Sequence, residues 1–303
     1  MPAEPPSQEP APRGRLATLA VRVASAAVLI ALVAATLAWW MPGFVLLVGV
    51  LLAIAVLELN RAAGRAGAKP AWPVLVVAVP GTIIAAYAAG TWAAPGRPSA
   101  GLVAEPVAVG VMVATVGLLA ALGVRLRGGT HGYLRDTGAS ALILAYLAIV
   151  GLSVVIIVLS AHPVAYLVSY VVCIAANDSG AYWAGSLAGR HKMVPGISPA
   201  KTWEGFAGGL VLAAVAGVLV GRFLLHVGVA WGVAFGLVLA CGATVGDLVE
   251  SAMKRDAGQK DMGHLLPGHG GALDRLDSML YCAPLAVVLY SLMGLIGTVV
   301  RWG

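Results

Sequence analysis

The chain has 303 residues, of which 60% are hydrophobic and only 11% are charged, and its mean hydropathy is +0.93. Soluble domains have roughly 45–50% apolar and about 25% charged residues, so this composition excludes an ordinary water-soluble fold. The net charge of +6 does not indicate nucleic-acid binding, because the basic residues are scattered through short loops and form no stripe with aromatic residues. We therefore predict an all-α polytopic integral membrane protein.

The chain opens with a polar segment, residues 1–15, that is rich in Pro and Glu and has no apolar periodicity. Such a segment cannot bury enough apolar surface to offset the entropy of ordering, so we predict a disordered tail. The apolar run that follows, 16–40, is long enough to span a membrane and is succeeded directly by another apolar run. We expect this run to be retained as the first helix and not to be removed as a signal peptide.

Nine segments approach the roughly 20 apolar residues that a spanning helix needs. They are approximately 17–40, 43–59, 72–91, 105–124, 139–160, 163–186, 206–226, 229–249 and 279–300. The second is short and the sixth is interrupted by Asn177-Asp178-Ser179-Gly180, so eight spans are the alternative. We divide the chain into the tail, N-terminal transmembrane helices at 16–170, and a C-terminal transmembrane catalytic region at 171–303.

The distribution of Lys and Arg predicts the orientation of these spans. With nine spans, 16 of the 19 basic residues lie on one side, and only Arg97, Arg222 and Arg301 lie on the other. Because short cytoplasmic loops carry the excess of basic residues, we predict a cytoplasmic N-terminus. The polar loops 187–205 and 250–278 then face the cytoplasm, and we expect the protein in the cell (inner or plasma) membrane.

Acidic residues are concentrated late in the chain, with eight of the 13 between Asp178 and Asp277. Three predicted helices bring Asp178, Asp247, Asp274 and Asp277 to a similar depth near the inner face. Carboxylates at that depth are costly unless they are paired or bind a cation, and oxygen ligands suit Mg²⁺. We predict a Mg²⁺ site, with room for a second cation, which can be monovalent. The alternative is that each Asp pairs with a nearby cation such as Arg275.

Two polar loops have the residues expected of phosphate-binding segments. Ser198-Pro199-Ala200-Lys201-Thr202 precedes the seventh helix, where backbone amides and a Lys can cradle a phosphate, although a hydroxyl that only caps the helix explains the pattern equally well. Leu266-Pro267-Gly268-His269-Gly270-Gly271 is a loop with few side chains, which lets the backbone approach a ligand. His269 is left open as a base, a phosphate donor or a loop-ordering residue.

Several motifs in residues 175–280 together resemble the signature of phosphatidate cytidylyltransferases, also called CDP-diacylglycerol synthases. They are Asn177-Asp178-Ser179-Gly180-Ala181-Tyr182, Ser198-Pro199-x-Lys201-Thr202-x-Glu204-Gly205, Ser251-x-Met253-Lys254-Arg255, Lys260-Asp261-x-Gly263, Leu266-Pro267-x-His269-Gly270-Gly271 and Asp274-Arg275-Leu276-Asp277. One departure is Ala272, where this family usually has a bulky aliphatic residue, so the local packing there differs. The resemblance to the N-terminal helices is limited to their general hydrophobic architecture.

The resemblance implies a Mg²⁺-dependent reaction of CTP with phosphatidate that gives CDP-diacylglycerol and pyrophosphate. The implied roles fall into three sets: metal ligands Asp247, Asp274 and Asp277 with Asp178 helping; catalytic Lys201, Lys254, Arg255, Arg275 and His269; and substrate-binding Ser198, Thr202, Lys260, Gly270 and Gly271. Because a phosphate attacks as an anion near neutral pH, a strong base is unnecessary, so His269 is disfavoured as one.

Other functions remain open from the sequence. A related CTP-dependent enzyme could act on another lipid phosphate or on a lipid alcohol, and an interrupted sixth helix with Asp178 would also suit an ion-coupled transporter. The bias of carboxylates to one face and the lack of a visible repeat disfavour transport. The expected partners are CTP, phosphatidate and membrane lipids, with a homodimer left open and no nucleic acid.

Overall fold

The computed structural model describes residues 27–28, 31–92, 104–263 and 271–296, and the predicted tail lies outside them. The described part of α1 comprises the helical residues 27–28 and 31–39. The longer helices are α2 Met41–Arg65, α3 Trp72–Trp92, α4 Ala104–Arg125, α5 Tyr133–Val158, α6 Pro163–Ala188, α7 Trp203–Val220, α8 Val229–Asp256 and α9 Leu273–Leu292. The predicted polytopic, almost entirely α-helical fold is confirmed.

Seven of these helices, α2–α8, are long and apolar enough to cross a membrane, and α9 contains a shorter apolar stretch, Leu276–Leu292. The protein is therefore an integral membrane protein. Half of the first predicted span, and the end of the ninth beyond residue 296, lie outside the described residues, so the count of nine stays a prediction. A small departure from all-α structure is an antiparallel hairpin of β1 Lys192–Val194 and β2 Ser198–Thr202.

The predicted interruption of the sixth span was wrong, because α6 continues without a break through residues 177–180. A helix satisfies its own backbone hydrogen bonds, and polar side chains do not break it when they have partners or face a cavity. Ser179 bonds back to the Ala175 carbonyl at 2.7 Å. Three helices extend at one end beyond the predicted boundary: α2 extends to Arg65, α8 extends to Asp256, and α9 begins earlier, at Leu273. Both ends of the predicted loop 250–278 are therefore helical.

The helices pack as two groups that α9 joins. Helices α2–α5 contact one another in the first group, and α6–α9 do so in the second, with α6 and α7 making the most extensive contact among the described elements. Helix α9 also packs against α5 and α2 of the first group. Helix α9 therefore lies where the two groups meet.

Glycines allow the second group to pack closely. A Cβ atom at Gly180 of α6 would lie 2.5 Å from the Gly208 carbonyl oxygen of α7, and Gly217 of α7 faces Gly232 and Gly236 of α8 with no room for a side chain. Within a bilayer, helices associate through van der Waals packing and not through the hydrophobic effect, and small residues four apart permit that close approach.

A buried carboxylate connects the polar loops at one end of the first group through a hydrogen bond and an ion pair. Asp136, at the start of α5, is fully buried, accepts the Lys69 backbone N–H at 2.9 Å and pairs with Arg125 at the end of α4 at 2.6 Å. Arg65 at the end of α2 also hydrogen-bonds Gln259, just beyond α8. The basic ends of α2, α4 and α8 thus lie at one end of the bundle, as alternating spans require.

The α7–α8 contact gives a first prediction. Gly236→Ala places a Cβ against the Ala213 backbone, so we expect a loss of about 1–3 kcal/mol in the free energy of unfolding and a lower thermal unfolding temperature in detergent. Gly123→Ala in α4 is the control, since nothing lies within 4 Å of its added Cβ and Ala favours helix over Gly. Equal unfolding temperatures for the two variants would contradict the close packing.

Candidate active site

Three carboxylates converge where α8 packs against α9. Oxygen atoms of Asp247, Glu250 and Asp277 all lie within 4.8 Å of one another. Asp247 and Glu250 share one face of α8 because they are three residues apart. Asp277 can approach them because Gly246 leaves space for α9, where a Cβ would lie 2.6 Å from Tyr281 Cβ. We call these residues the carboxylate trio.

The surroundings of the trio favour a bound cation. Glu250 is only 2% exposed, and neither of its carboxylate oxygens makes a hydrogen bond among the described residues, although Oε2 lies 3.1 Å from Lys254 Nζ. Three neighbouring carboxylates, one of them buried, repel one another and are costly without positive charge. All the ligand atoms are oxygens, which suits a hard cation. The residues present therefore fit a metal ion.

Two lysines supply part of the positive charge. Lys201, on β2, pairs with Asp247 at 2.6 Å and donates to the Thr244 carbonyl at 3.2 Å. Lys254, one turn after Glu250 on α8, lies 3.1 Å from both Glu250 and Asp274. The first lysine connects the hairpin to α8, and the second connects α8 to α9.

Asp274 lies outside the trio and has a different set of partners. Its carboxylate accepts backbone N–H groups from Met262 at 3.0 Å and Gly271 at 2.8 Å, besides its bond from Lys254. Asp274 precedes the apolar stretch of α9; burial alone would raise its pKa, but these hydrogen bonds lower the pKa below its ordinary value. Asp274 thus joins the two backbone ends that flank residues 264–270.

A cavity of about 480 Å³ lies beside Asp247 of the trio, between α6, the hairpin, α7 and α8. Its lining combines apolar side chains with charged and polar ones, and we call it the polar cavity. Asp178, Lys201, Thr202 and Asp247 are among its lining residues. Asp178 does not join the trio; its Oδ1 accepts a hydrogen bond from the Asn177 amide at 3.2 Å. The volume lies in the range of ligand pockets, roughly 300–1,000 Å³.

The hairpin residues are placed by local contacts. Thr202 Oγ1 accepts the Gly205 N–H at 3.1 Å, so this side chain caps α7 and also lines the cavity. Ser198 begins β2 and pairs with Val194. Arg255 is exposed, and its Nε donates to the Ile197 carbonyl at the hairpin turn at 3.3 Å.

The remaining predicted site residues are less informative. Lys260 is exposed in the segment after α8. Gly271 donates its N–H to Asp274 and packs on Glu58. His269, Gly270 and the side chain of Arg275 lie outside the described part of the structure, so their roles stay predictions.

Two acidic residues at the site escaped the sequence reading. Glu250 contributes a carboxylate oxygen to the trio, and its spacing from Asp247 in an apolar helix was the available signal. Glu58 lies in α2, buried, and hydrogen-bonds the start of α9. Its signal was a lone carboxylate within an apolar run, which is costly unless it has a function or a partner.

Comparison with known proteins places the chain in a family. The model of the cytidylyltransferase family matches residues 20–293. A phosphatidate cytidylyltransferase of Mycobacterium leprae is 42% identical over 164 residues, which cover 54% of this chain and 52% of that protein. The chain belongs to the cytidylyltransferase family.

Other relatives match over shorter segments. A Mycobacterium tuberculosis phosphatidate cytidylyltransferase is 47% identical over 122 residues, 40% of this chain and 37% of that protein. One from Staphylococcus epidermidis is 45% identical over 114 residues, 37% of this chain and 44% of that protein. The matched segments thus span about half, or less, of the length of these relatives.

The trio gives a second prediction, about cation binding. Mg²⁺ should raise the thermal unfolding temperature of the protein in detergent, because a ligand that binds only the folded state stabilises it, by about 2.7 kcal/mol at 100 times its Kd. Glu250→Gln should lose most of this rise while remaining folded without Mg²⁺, since the substitution removes repulsion within the trio. Asp256→Asn, an exposed carboxylate of the same helix, should keep the rise. An undiminished rise in Glu250→Gln would exclude Glu250 as a ligand.

Proposed function

We propose that the protein is a phosphatidate cytidylyltransferase, which transfers the cytidylyl group of CTP to phosphatidate. The observation that carries this proposal is the carboxylate trio with Lys201 and Lys254 beside a polar cavity, in a membrane protein of the cytidylyltransferase family. The names of its bacterial relatives support phosphatidate as the acceptor. The products are CDP-diacylglycerol and pyrophosphate.

The polar cavity is our proposed site for the triphosphate of CTP. Lys201 lines it and can exchange part of its contact with Asp247 for a phosphate oxygen. Thr202 caps α7 through its oxygen, which leaves its hydroxyl hydrogen free to donate. Arg255 would act at the rim, because it is exposed and contacts the hairpin turn. Ser198, Lys260, Gly270 and Gly271 stay proposed as further substrate contacts.

For the metal we propose Mg²⁺ held by Asp247, Glu250 and Asp277. It would supply positive charge that offsets the phosphates of CTP. Asp178, which also lines the polar cavity, is proposed to hold a second cation or to orient Lys201. Asp274 accepts backbone N–H groups on either side of residues 264–270. We therefore propose that Asp274 holds this backbone in place and does not bind the metal directly.

The reaction balances without a protein base. A phosphate oxygen of phosphatidate forms a bond to the α-phosphorus of CTP, and the bond from that phosphorus to the bridging oxygen of the β-phosphate breaks. The electron pair leaves with pyrophosphate, whose charge Lys201, Lys254 and Arg275 would offset. The attacking phosphate is already an anion, so His269 is proposed as a contact to phosphate and not as a base.

An apolar cavity of about 460 Å³ is our proposed site for an acyl chain. Helices α1, α2, α5, α6 and α9 line it, and Leu276 and Leu280 of α9, which flank Asp277 in sequence, form one wall. A chain placed there would run beside the helix that carries Asp277, with its phosphate directed to the trio. This arrangement lets the lipid arrive sideways from the membrane.

The proposed location follows from the substrates and the loop charges. CTP is a cytoplasmic metabolite, so the site should face the cytoplasm from the plasma membrane. The gathering of basic helix ends at the same end as Gln259 supports this orientation. A homodimer is compatible with the proposal but is not required by the site.

The defining experiment supplies purified protein with CTP, Mg²⁺ and phosphatidate, and measures CDP-diacylglycerol and pyrophosphate. We expect equal amounts of both products, and a loss of at least about 100-fold in kcat for Asp277→Asn, as for loss of one transition-state charge contact. Asp256→Asn should retain wild-type turnover. Turnover with another lipid phosphate but not with phosphatidate would leave cytidylyl transfer and remove the substrate assignment.

The acyl-chain site has its own test. Val172→Phe narrows the apolar cavity from a partly exposed position, so the KM for phosphatidate should rise several-fold while the KM for CTP stays constant. Val211→Phe is the matched control, because Val211 is exposed on α7 and does not line this cavity. Equal KM values for phosphatidate in the two variants would rule out this cavity.

A further inference from the structure

Glu58 is a buried carboxylate of α2 that hydrogen-bonds the start of α9. The residue is 1% exposed, and both of its oxygens accept backbone N–H groups, Oε1 from Ala272 at 3.0 Å and Oε2 from Leu273 at 2.9 Å. These two N–H groups belong to the first residues of α9, 214 and 215 positions later in the chain. One side chain of the first helix group therefore holds the beginning of the last helix.

These bonds meet a physical need of α9. The first N–H groups of a helix have no partner within the helix, and Ala272 at the cap position has no side chain that could accept them. A carboxylate satisfies two of these donors and interacts favourably with the positive end of the helix dipole. Glu58 thus performs from another helix the function that a local Ser or Asp usually performs.

The backbone around Glu58 is shaped to fit it. A Cβ atom at Gly271 would lie 2.6 Å from Glu58 Oε1, and one at Gly263 would also overlap the carboxylate. Both glycines therefore allow the backbone on each side of residues 264–270 to approach this group. The same two backbone regions are bound by Asp274 through Met262 and Gly271.

The position of this contact matters for the carboxylate trio. Leu273 begins α9, and Asp277 lies about one helical turn further along the same helix. A shift or rotation of the first turn of α9 would move Asp277 relative to Asp247 and Glu250, which lie on α8. The oxygens of the trio lie within 4.8 Å of one another, and a displacement of Asp277 would separate them.

We propose that Glu58 is a positioning residue for the active site: it fixes the first turn of α9 so that Asp277 completes the carboxylate trio. A role of Glu58 in catalysis rests on the proposed function. Its effect on the position of Asp277, however, can be measured by cation binding alone. Glu58 does not touch the trio, and it acts through the backbone of Ala272 and Leu273.

The test compares Glu58→Gln with a control of equal burial. Gln preserves the volume but replaces one acceptor oxygen with an NH₂ group that faces an N–H donor. Asp136→Asn is the matched control, because Asp136 is also buried and also accepts a backbone N–H, yet its partners Lys69 and Arg125 lie in the first helix group. Both variants should lower the thermal unfolding temperature of the full chain in detergent.

Cation binding separates positioning from general stability. In a Mn²⁺ titration followed by electron paramagnetic resonance, we expect the half-saturating Mn²⁺ concentration to rise about tenfold or more in Glu58→Gln and to stay at the wild-type value in Asp136→Asn. Glu58→Asp retains the charge but is shorter, so it should fall between wild type and Glu58→Gln. If Glu58→Gln does not fold, the half-saturating Mn²⁺ concentration of Glu58→Asp, compared with that of Asp136→Asn, tests the proposal instead.

Wild-type Mn²⁺ affinity in the folded Glu58 variants would overturn the proposal, as would an equal loss in Asp136→Asn. The product assay with wild-type protein tests the proposed function separately. Suppose that wild type makes no CDP-diacylglycerol, while the Glu58 variants bind Mn²⁺ more weakly than Asp136→Asn. The proposed function then fails and the positioning role stands. If wild type makes CDP-diacylglycerol and the Glu58 variants bind Mn²⁺ with the same affinity as Asp136→Asn, the proposed function stands and the positioning role fails.

Discussion

The close contact between α8 and α9 is the constraint on which the site depends, because it holds three carboxylates within 4.8 Å of one another. Like charges at this separation oppose the packing of the two helices. The contact is stabilised by the absence of a side chain at Gly246 and by Lys254, which bonds one residue of each helix. A cation at the trio would remove the remaining repulsion, so binding and helix packing reinforce each other.

Polar contacts join the active-site elements at points where the chain is far apart in sequence. Lys201 connects the hairpin with α8, Asp274 connects α9 with Met262, and Glu58 connects α2 with α9. In a bilayer, apolar packing does not select one helix arrangement over another as strongly as it does in water. Buried hydrogen bonds with defined geometry therefore have a large part in fixing where the side chains of the candidate active site lie.

The sequence predicted some features correctly and missed others for identifiable reasons. Apolar length located α3 to within a few residues, because the hydrocarbon thickness sets the length of a spanning helix. It failed at residues 177–180, where polar composition was read as a break although α6 is continuous. The motif with Asp274 and Asp277 predicted a metal site, but motif residues do not reveal which carboxylates lie together and which accept backbone N–H groups.

The sequence by itself determined that the chain spans a membrane, which follows from composition, and its local motifs predicted a phosphate-binding site in the polar C-terminal segments. Only the tertiary structure selected Glu250 in place of Asp274 as the third member of the trio and brought Glu58 to the start of α9. The physical reason is that these assignments depend on which helix faces meet. Neither the hydropathy of a span nor the spacing within one motif specifies the neighbour against which that span packs.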